Sequence, residues 1–180
     1  MSVLAQATDP VATPNGRRDS IHTPAAEGLL EARQLLLAIA GQLEGGSGLI
    51  EWARELADLH ATGITAMISP LRRPADFDAA AMHVRIRAVI GLIDDWSIFH
   101  LPRPTAARRH THSLGEVISH VAETYAQVQW TLRHSDSAEH RHEAAVRFAQ
   151  VQQGYADLIG EIKAMRVELA LGWRGPRPIA

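Results

Sequence analysis

The chain has 180 residues, 46% of them apolar, no cysteine and a formal net charge of −2. This length favours one domain with its own core, while the missing cysteines exclude disulfides, thiolate zinc sites and cysteine nucleophiles. The near-neutral charge argues against a nucleic-acid or membrane-surface partner. Because there is no secretory signal and no apolar run of the ~20 residues that span a membrane, we expect a cytoplasmic protein.

The predicted elements begin after an N-terminal tail. Residues 1–24 hold three prolines and an Asn-Gly pair without hydrophobic periodicity, which is typical of a flexible segment. An apolar stripe predicts a first helix over residues 25–44, ended by a glycine-rich link. The second helix is predicted at residues 49–69 and the third at residues 77–100, each followed by prolines that cannot continue it.

Capping patterns mark the two remaining helices. Ser113 is followed three residues later by Glu116, which predicts a capping box at the start of the fourth helix. Residues 136–139 resemble a second capping box, and we expect the fifth helix to continue to about Leu171, with Gly172 as its C-cap.

The apolar residues of the long segments repeat at heptad-like spacing, which is typical of packed helices. The links between them are short, which favours antiparallel neighbours. We therefore predict an all-α fold, an antiparallel four- to five-helix bundle over residues 25–172, with a disordered tail at 1–24 and a C-terminal tail at 173–180.

Four segments carry a family resemblance: Ile93-Asp94-Asp95-Trp96, Leu101-Pro102, residues 110–118 (HTHSLGEVI) and residues 149–158 (AQVQQGYADL). Over roughly residues 49–172 the chain resembles the domain-of-unknown-function 4254 family. The resemblance implies an all-helical fold and no particular reaction. The chain departs from the family pattern at His112, where the family usually has an acidic residue, and at Ser119-His120, where it has an Asp-Arg pair.

The most basic part of the predicted bundle is the end where the third helix stops, the fourth starts and the fifth stops. A helix N-terminus offers unpaired amides and a partial positive charge to an anion. The candidate anion-binding residues are Arg108, Arg109, His110, Thr111, His112, Ser113, Gly115 and Arg174. The alternative is that these arginines solubilise a loop or pair with Asp94, Asp95 and Glu116.

Ten histidines raise the question of a metal site. His134, His140 and His142 could supply three imidazoles to zinc near one turn. His142-Glu143 begins like a zincin motif, but the second histidine of that motif is missing. We therefore expect exposed histidines at a helix end, with no metal and no cofactor. His60 lies on an apolar stripe and is interpreted as a hydrogen-bonded core histidine.

Acidic residues lie on two successive predicted helices. Glu51, Glu55 and Asp58 share one face of the second helix, and Asp94-Asp95 lie on the third. All-α nucleoside triphosphate pyrophosphohydrolases hold magnesium with acidic pairs on successive helices, but the second pair here is adjacent rather than three apart. A salt-bridged surface is the preferred interpretation. The available partners are Arg54, Arg85 and Arg87.

Three functional hypotheses follow. The first is a non-catalytic homo-oligomer that acts through protein–protein contacts, because no catalytic constellation is recognisable and Leu37, Trp52 and Ile98 lie off the main apolar stripes. The second is a binder of, or enzyme acting on, a small anionic metabolite, such as a phosphorylated one, at the basic end. The third is magnesium-dependent nucleotide hydrolysis through acidic residues of the second and third helices.

Overall fold

The computed structural model describes residues 28–69, 71 and 73–172. Five helices make up most of this part of the chain. Two strands of two residues each, one before the fourth helix and one after the fifth, form a small parallel sheet. The helices are α1 (Ala32–Ile39), α2 (Gly48–Ile68), α3 (Ala79–His100), α4 (Leu114–His134) and α5 (Ala138–Lys163), with strands β1 (Arg108–Arg109) and β2 (Val167–Glu168). The predicted all-α bundle is confirmed; the predicted tails at 1–24 and 173–180 lie outside the described residues.

The bundle is organised around α2 and α4. Helix α2 packs against α1, α3 and α4, and α4 packs against α2, α3 and α5. The end of α2 meets the start of α3, where Gly63 lies against Met82. The end of α3 meets the start of α4, where Asp94 accepts a hydrogen bond from Gly115. Helices that are neighbours in sequence are therefore antiparallel. Among the described residues, no helix has both the length and the apolar character of a membrane span.

All five helices contribute to one cluster of buried apolar side chains. The fully buried members include Leu35, Leu56, Val89, Ile93, Ile118 and Ile159. Tyr155 of α5 is also buried, and its hydroxyl donates to the Leu30 carbonyl at 2.7 Å, which fixes the chain segment that leads into α1. Burial of this polar group is tolerated because its hydrogen bond is made.

The predicted end of the fifth helix is wrong. Helix α5 ends at Lys163 and not near Leu171, because Met165 adopts a left-handed φ of 58° and the following backbone pairs with β1. Residue Gly172 has a positive φ of 70°, but it follows β2 instead of capping the helix. The start is also shifted, since Ser137 is the N-cap and its hydroxyl accepts from the His140 amide.

The first helix is shorter than predicted. It begins after Glu31, whose side chain and that of Gln34 form a capping box, and it ends at Ile39. Leu29 and Leu30 are buried but lie outside the helix. Their apolar spacing resembles a helical stripe, but they lie on a non-helical segment that packs on the core.

Candidate functional site

The predicted anion-binding arginines lie on β1 and form ion pairs. Arg108 Nη2 lies 3.1 Å from Glu161 Oε2, and Arg109 Nε lies 3.4 Å from Glu168 Oε2. Ion pairing, the alternative considered from the sequence, is therefore observed, but the partners lie on α5 and β2, whereas the sequence suggested carboxylates of α3 and α4. Arg174 lies outside the described residues.

The loop between β1 and α4 makes most of its contacts with itself. The Nδ1 atom of His110 lies 2.9 Å from the carbonyl oxygen of His112. The Nδ1 atom of His112 lies 3.6 Å from Glu116 Oε2. Thr111 is exposed at the loop tip. Both histidines are thus engaged by neighbours in sequence.

The first turn of α4 uses its hydrogen-bond donors within the chain. The predicted capping box is present: the Ser113 amide donates to Glu116 Oε2 at 2.8 Å, and the Glu116 amide donates to Ser113 Oγ at 3.2 Å. The Gly115 amide donates to Asp94 Oδ1 at 2.8 Å. A carboxylate of α3 therefore occupies the position that the sequence offered to an external anion.

Gly115 permits a close approach, but the neighbour is α3. A Cβ atom at this position would lie less than 3.0 Å from both the Ile90 carbonyl oxygen and Asp94 Oδ1. A Cβ atom at Gly172 would likewise lie less than 3.0 Å from Asp94 Oδ2. Two glycines thus lie against one carboxylate, and Asp94 is hydrogen-bonded to the start of α4 and lies close to the chain after β2.

Asp94 is a buried charged group with a shifted pKa. Burial raises the pKa of its carboxyl above the ordinary value, while hydrogen bonds from the Gly115 amide and the Ser113 hydroxyl oppose that rise. The nearby charges of Glu116 and Asp95 add to it. The carboxyl is therefore held by hydrogen bonds inside the fold, and none of the described basic residues is among the causes of its pKa shift.

The acidic residues of α2 and α3 make separate contacts and do not form one site. Arg85 forms a two-pronged ion pair with Glu55, with Nη2 at 2.8 Å from Oε2 and Nε on Oε1. Glu51 and Asp58 are exposed on α2, whereas Asp94 is buried. Within the described part of the chain, no three histidine or acidic residues are grouped so that they could hold a metal ion.

Of the three histidines considered as zinc ligands, two lie at the same cavity. The rings of His134 and Trp130 stack with centroids 3.9 Å apart, and His134 and His140 border the same cavity. His142 does not border it. Glu139 and His142 have the Glu-x-x-His spacing of di-iron bundles, but those sites need two such motifs and the chain has one.

His60 is hydrogen-bonded at the α2–α4 contact, as predicted, but it is half-buried and not part of the buried core. Its Nε2 lies 3.0 Å from the Oγ of Ser119, a position at which the chain departs from the family pattern. Burial lowers the pKa of His60 below its ordinary value; Glu123 on α4 opposes this, and His83 on α3 and His120 on α4 add to it.

We expect the contribution of His60 to the stability of the bundle to decrease as the pH falls below the ordinary histidine value of 6.5. Below that pH the unfolded chain binds a proton at His60 more readily than the folded chain does. The stability that neutral His60 contributes is therefore present above that pH and is lost below it. Urea unfolding between pH 8 and pH 5 should show a smaller decrease for His60→Gln than for the wild type. His134→Gln, at an exposed histidine, is the control; equal pH slopes for wild type and His60→Gln would contradict the assignment.

The apolar residues that suggested an interface are not the exposed ones. Leu37, Trp52 and Ile98 are half-buried, and Trp52 packs against the core. The exposed apolar surface lies elsewhere, and one part of it follows α3. Sequence analysis missed this surface because only the buried stripe of α3 was assigned.

Helix α3 carries apolar residues on two opposite faces. At 100° per residue the buried face is centred on Ile93, and the opposite face carries the outer stripe of α3, which we define as Val84, Ala88, Leu92 and Phe99. Their exposed fractions reach 58% at Val84, 41% at Leu92 and 81% at Phe99. This face of the helix is therefore covered by no other described element.

A second unassigned feature is a cavity of about 340 Å³ between the end of α2, the second half of α4 and the start of α5. Ile64, Met67 and Ile68 line it from α2, and Val128 and Trp130 from α4. Arg147 of α5 also borders it. Three separate helices supply these residues, so no spacing in the sequence could have grouped them.

The chain has no match among protein-family models, curated proteins or solved structures. The resemblance to the domain-of-unknown-function 4254 family therefore stays a prediction.

Proposed function

We propose that this protein is a non-catalytic helical bundle that acts through protein–protein contacts, and that it forms a homodimer through the outer stripe of α3. The observation that supports this most directly is the exposure of large apolar side chains along one helix face. Monomeric proteins rarely expose continuous apolar surface unless it is a contact site. Burial of this face against another helix would remove it from water.

The order of residues along the stripe favours a second copy as the partner. A two-fold contact needs a patch that is complementary to itself. If two α3 helices pair antiparallel about Gly91 and Leu92, Val84 of one copy faces Phe99 of the other. Ala88 is small and exposed, and Gly91 is small and half-buried, which permits close helix packing.

The anionic-metabolite hypothesis receives less support. Its helix donors are the amide of Gly115, which donates to Asp94, and those of Ser113 and Glu116, which form the capping box. The exposed arginines of β1 already have carboxylate partners.

The proposal is tested by the mass of the protein in solution. Sedimentation equilibrium over a range of concentrations should give a dimer for the wild type and a monomer for Val84→Glu and for Phe99→Glu, since each buries an unpaired charge twice in the contact. Val146→Glu is the matched control on α5, where the replaced side chain is 42% exposed, and it should stay dimeric.

A wild type that stays monomeric at every concentration, or a Val146→Glu variant that dissociates while Phe99→Glu does not, would contradict the proposal.

A further inference from the structure

The cavity bordered by Arg147 is distinct from the outer stripe of α3. Its floor is apolar and buried, with Ile64 at 9% and Val128 at 5% exposure. Its walls are apolar but open to water, with Met67 at 68% and Ile68 at 57% exposure. A compact molecule that fills it would cover side chains for which the described chain provides no other cover.

The size and shape of the cavity suit a small molecule. Its volume of about 340 Å³ falls in the range of about 300–1,000 Å³ that is typical of small-molecule sites. Walls from three helices make it concave, whereas a protein partner prefers a flatter surface. The Trp130 ring is held in place by its stack with His134, so one wall is ordered before any ligand arrives.

The charge at the cavity is cationic. Arg147 is the charged residue among those that line it, and its guanidinium has no ion-pair partner among the described residues. Thr131 contributes a hydroxyl to the same wall. A guanidinium beside an apolar cavity binds a carboxylate in two-pronged geometry, and the attached apolar chain gains from leaving water.

We propose that this cavity binds an amphipathic carboxylate, that is, a medium-length alkyl chain that ends in one carboxyl group. The alkyl chain lies along Ile64, Ile68 and Trp130. The carboxylate accepts hydrogen bonds from Arg147 and from the Thr131 hydroxyl. The same chemistry occurs in a free acid and in an anionic lipid, and the two sources are separated by experiment.

The test is a titration of the full chain with sodium octanoate, followed by the indole N–H resonances of the four tryptophans. The Trp130 resonance, identified with Trp130→Phe, should shift, while those of Trp52 and Trp96 stay in place. Octanol, which has the chain without the charge, should bind about tenfold more weakly, since a charge-assisted hydrogen bond contributes about 1.4 kcal/mol or more. Inorganic phosphate, which has charge without the chain, should leave the Trp130 resonance in place, because it removes no apolar chain from water.

Matched arginine variants separate the site from general charge effects. Arg147→Gln should lower the affinity for octanoate about tenfold and leave octanol binding unchanged. Arg133→Gln, on α4 and outside this cavity, should leave both unchanged. Met67→Gln should weaken both ligands, because it replaces an apolar wall.

Three outcomes would overturn the proposal. They are no shift of the Trp130 resonance with octanoate, equal effects of Arg147→Gln and Arg133→Gln, and binding to anionic phospholipid vesicles without binding of octanoate. The dispersion of the amide spectrum reports in each case that the variant is folded. None of these results depends on the dimer, because the cavity and the outer stripe of α3 share no residue.

Discussion

Gly115→Ala is expected to destabilise the bundle by about 3 kcal/mol, since an added methyl group forces packed backbone apart. The new Cβ would lie less than 3.0 Å from the Ile90 carbonyl oxygen, which belongs to α3 and cannot rotate away. It would also press on Asp94 Oδ1, which accepts the Gly115 amide hydrogen bond. Relief requires α3 and α4 to separate where Gly115 lies against Ile90.

Helix propensity favours Gly115→Ala, whereas the close contact with α3 opposes it. The sign of the change in stability therefore shows which effect is larger. Alanine is favoured over glycine in a helix by up to about 1 kcal/mol, so a helix without this contact would gain from the change. Gly160→Ala in α5 is the matched control, because nothing lies within 4 Å of its added Cβ. Urea unfolding should show a loss for Gly115→Ala and a small gain for Gly160→Ala; a gain at both positions would contradict the close α3–α4 approach.

Helices with local end signals could be predicted from the sequence. The serine-to-glutamate capping box at Ser113 places the start of α4 correctly, and the prolines after the second and third helices limit α2 and α3. These signals act within one turn, so they do not depend on the rest of the fold. The apolar repeat then predicts the buried face over most of α2 and α4, but Met67 and Leu132 near their ends belong to the predicted stripes and are exposed.

Elements that depend on distant partners could not be predicted. The spacing of Met165 and Leu169 continues the apolar repeat of α5, yet the backbone leaves the helix and pairs with β1, more than fifty residues earlier in the chain. Tertiary pairing overrides local propensity in such cases. The same limit applies to Arg108 and Arg109, whose partners lie on elements that only the fold brings near.

The candidate surfaces differ in how far the sequence could have revealed them. The outer stripe of α3 has a regular spacing, with Val84, Ala88 and Leu92 four residues apart, so a search for a second stripe would have found it. The cavity at Arg147 has no such signal. Its walls come from three helices whose relative register is set by core packing.

Substitutions at Asp94 separate the value of its hydrogen bond from the cost of its charge. Asp94→Ala should destabilise the protein by about 1–3 kcal/mol, because it leaves the buried Gly115 amide without an acceptor. Asp94→Asn keeps an acceptor oxygen and removes the buried charge, so we expect it to be at least as stable as the wild type at neutral pH.

The pH dependence gives the sign of the charge effect. Since burial raises the pKa of Asp94, the folded chain holds a proton that the unfolded chain releases, and this contribution is largest below the ordinary aspartate value of 3.8. It is lost as the pH rises through the raised value. Urea unfolding from pH 4 to pH 7 should therefore show the wild type losing stability relative to Asp94→Asn. A difference that grows in favour of the wild type with rising pH would mean that a cation, and not the α4 amide, compensates the carboxylate.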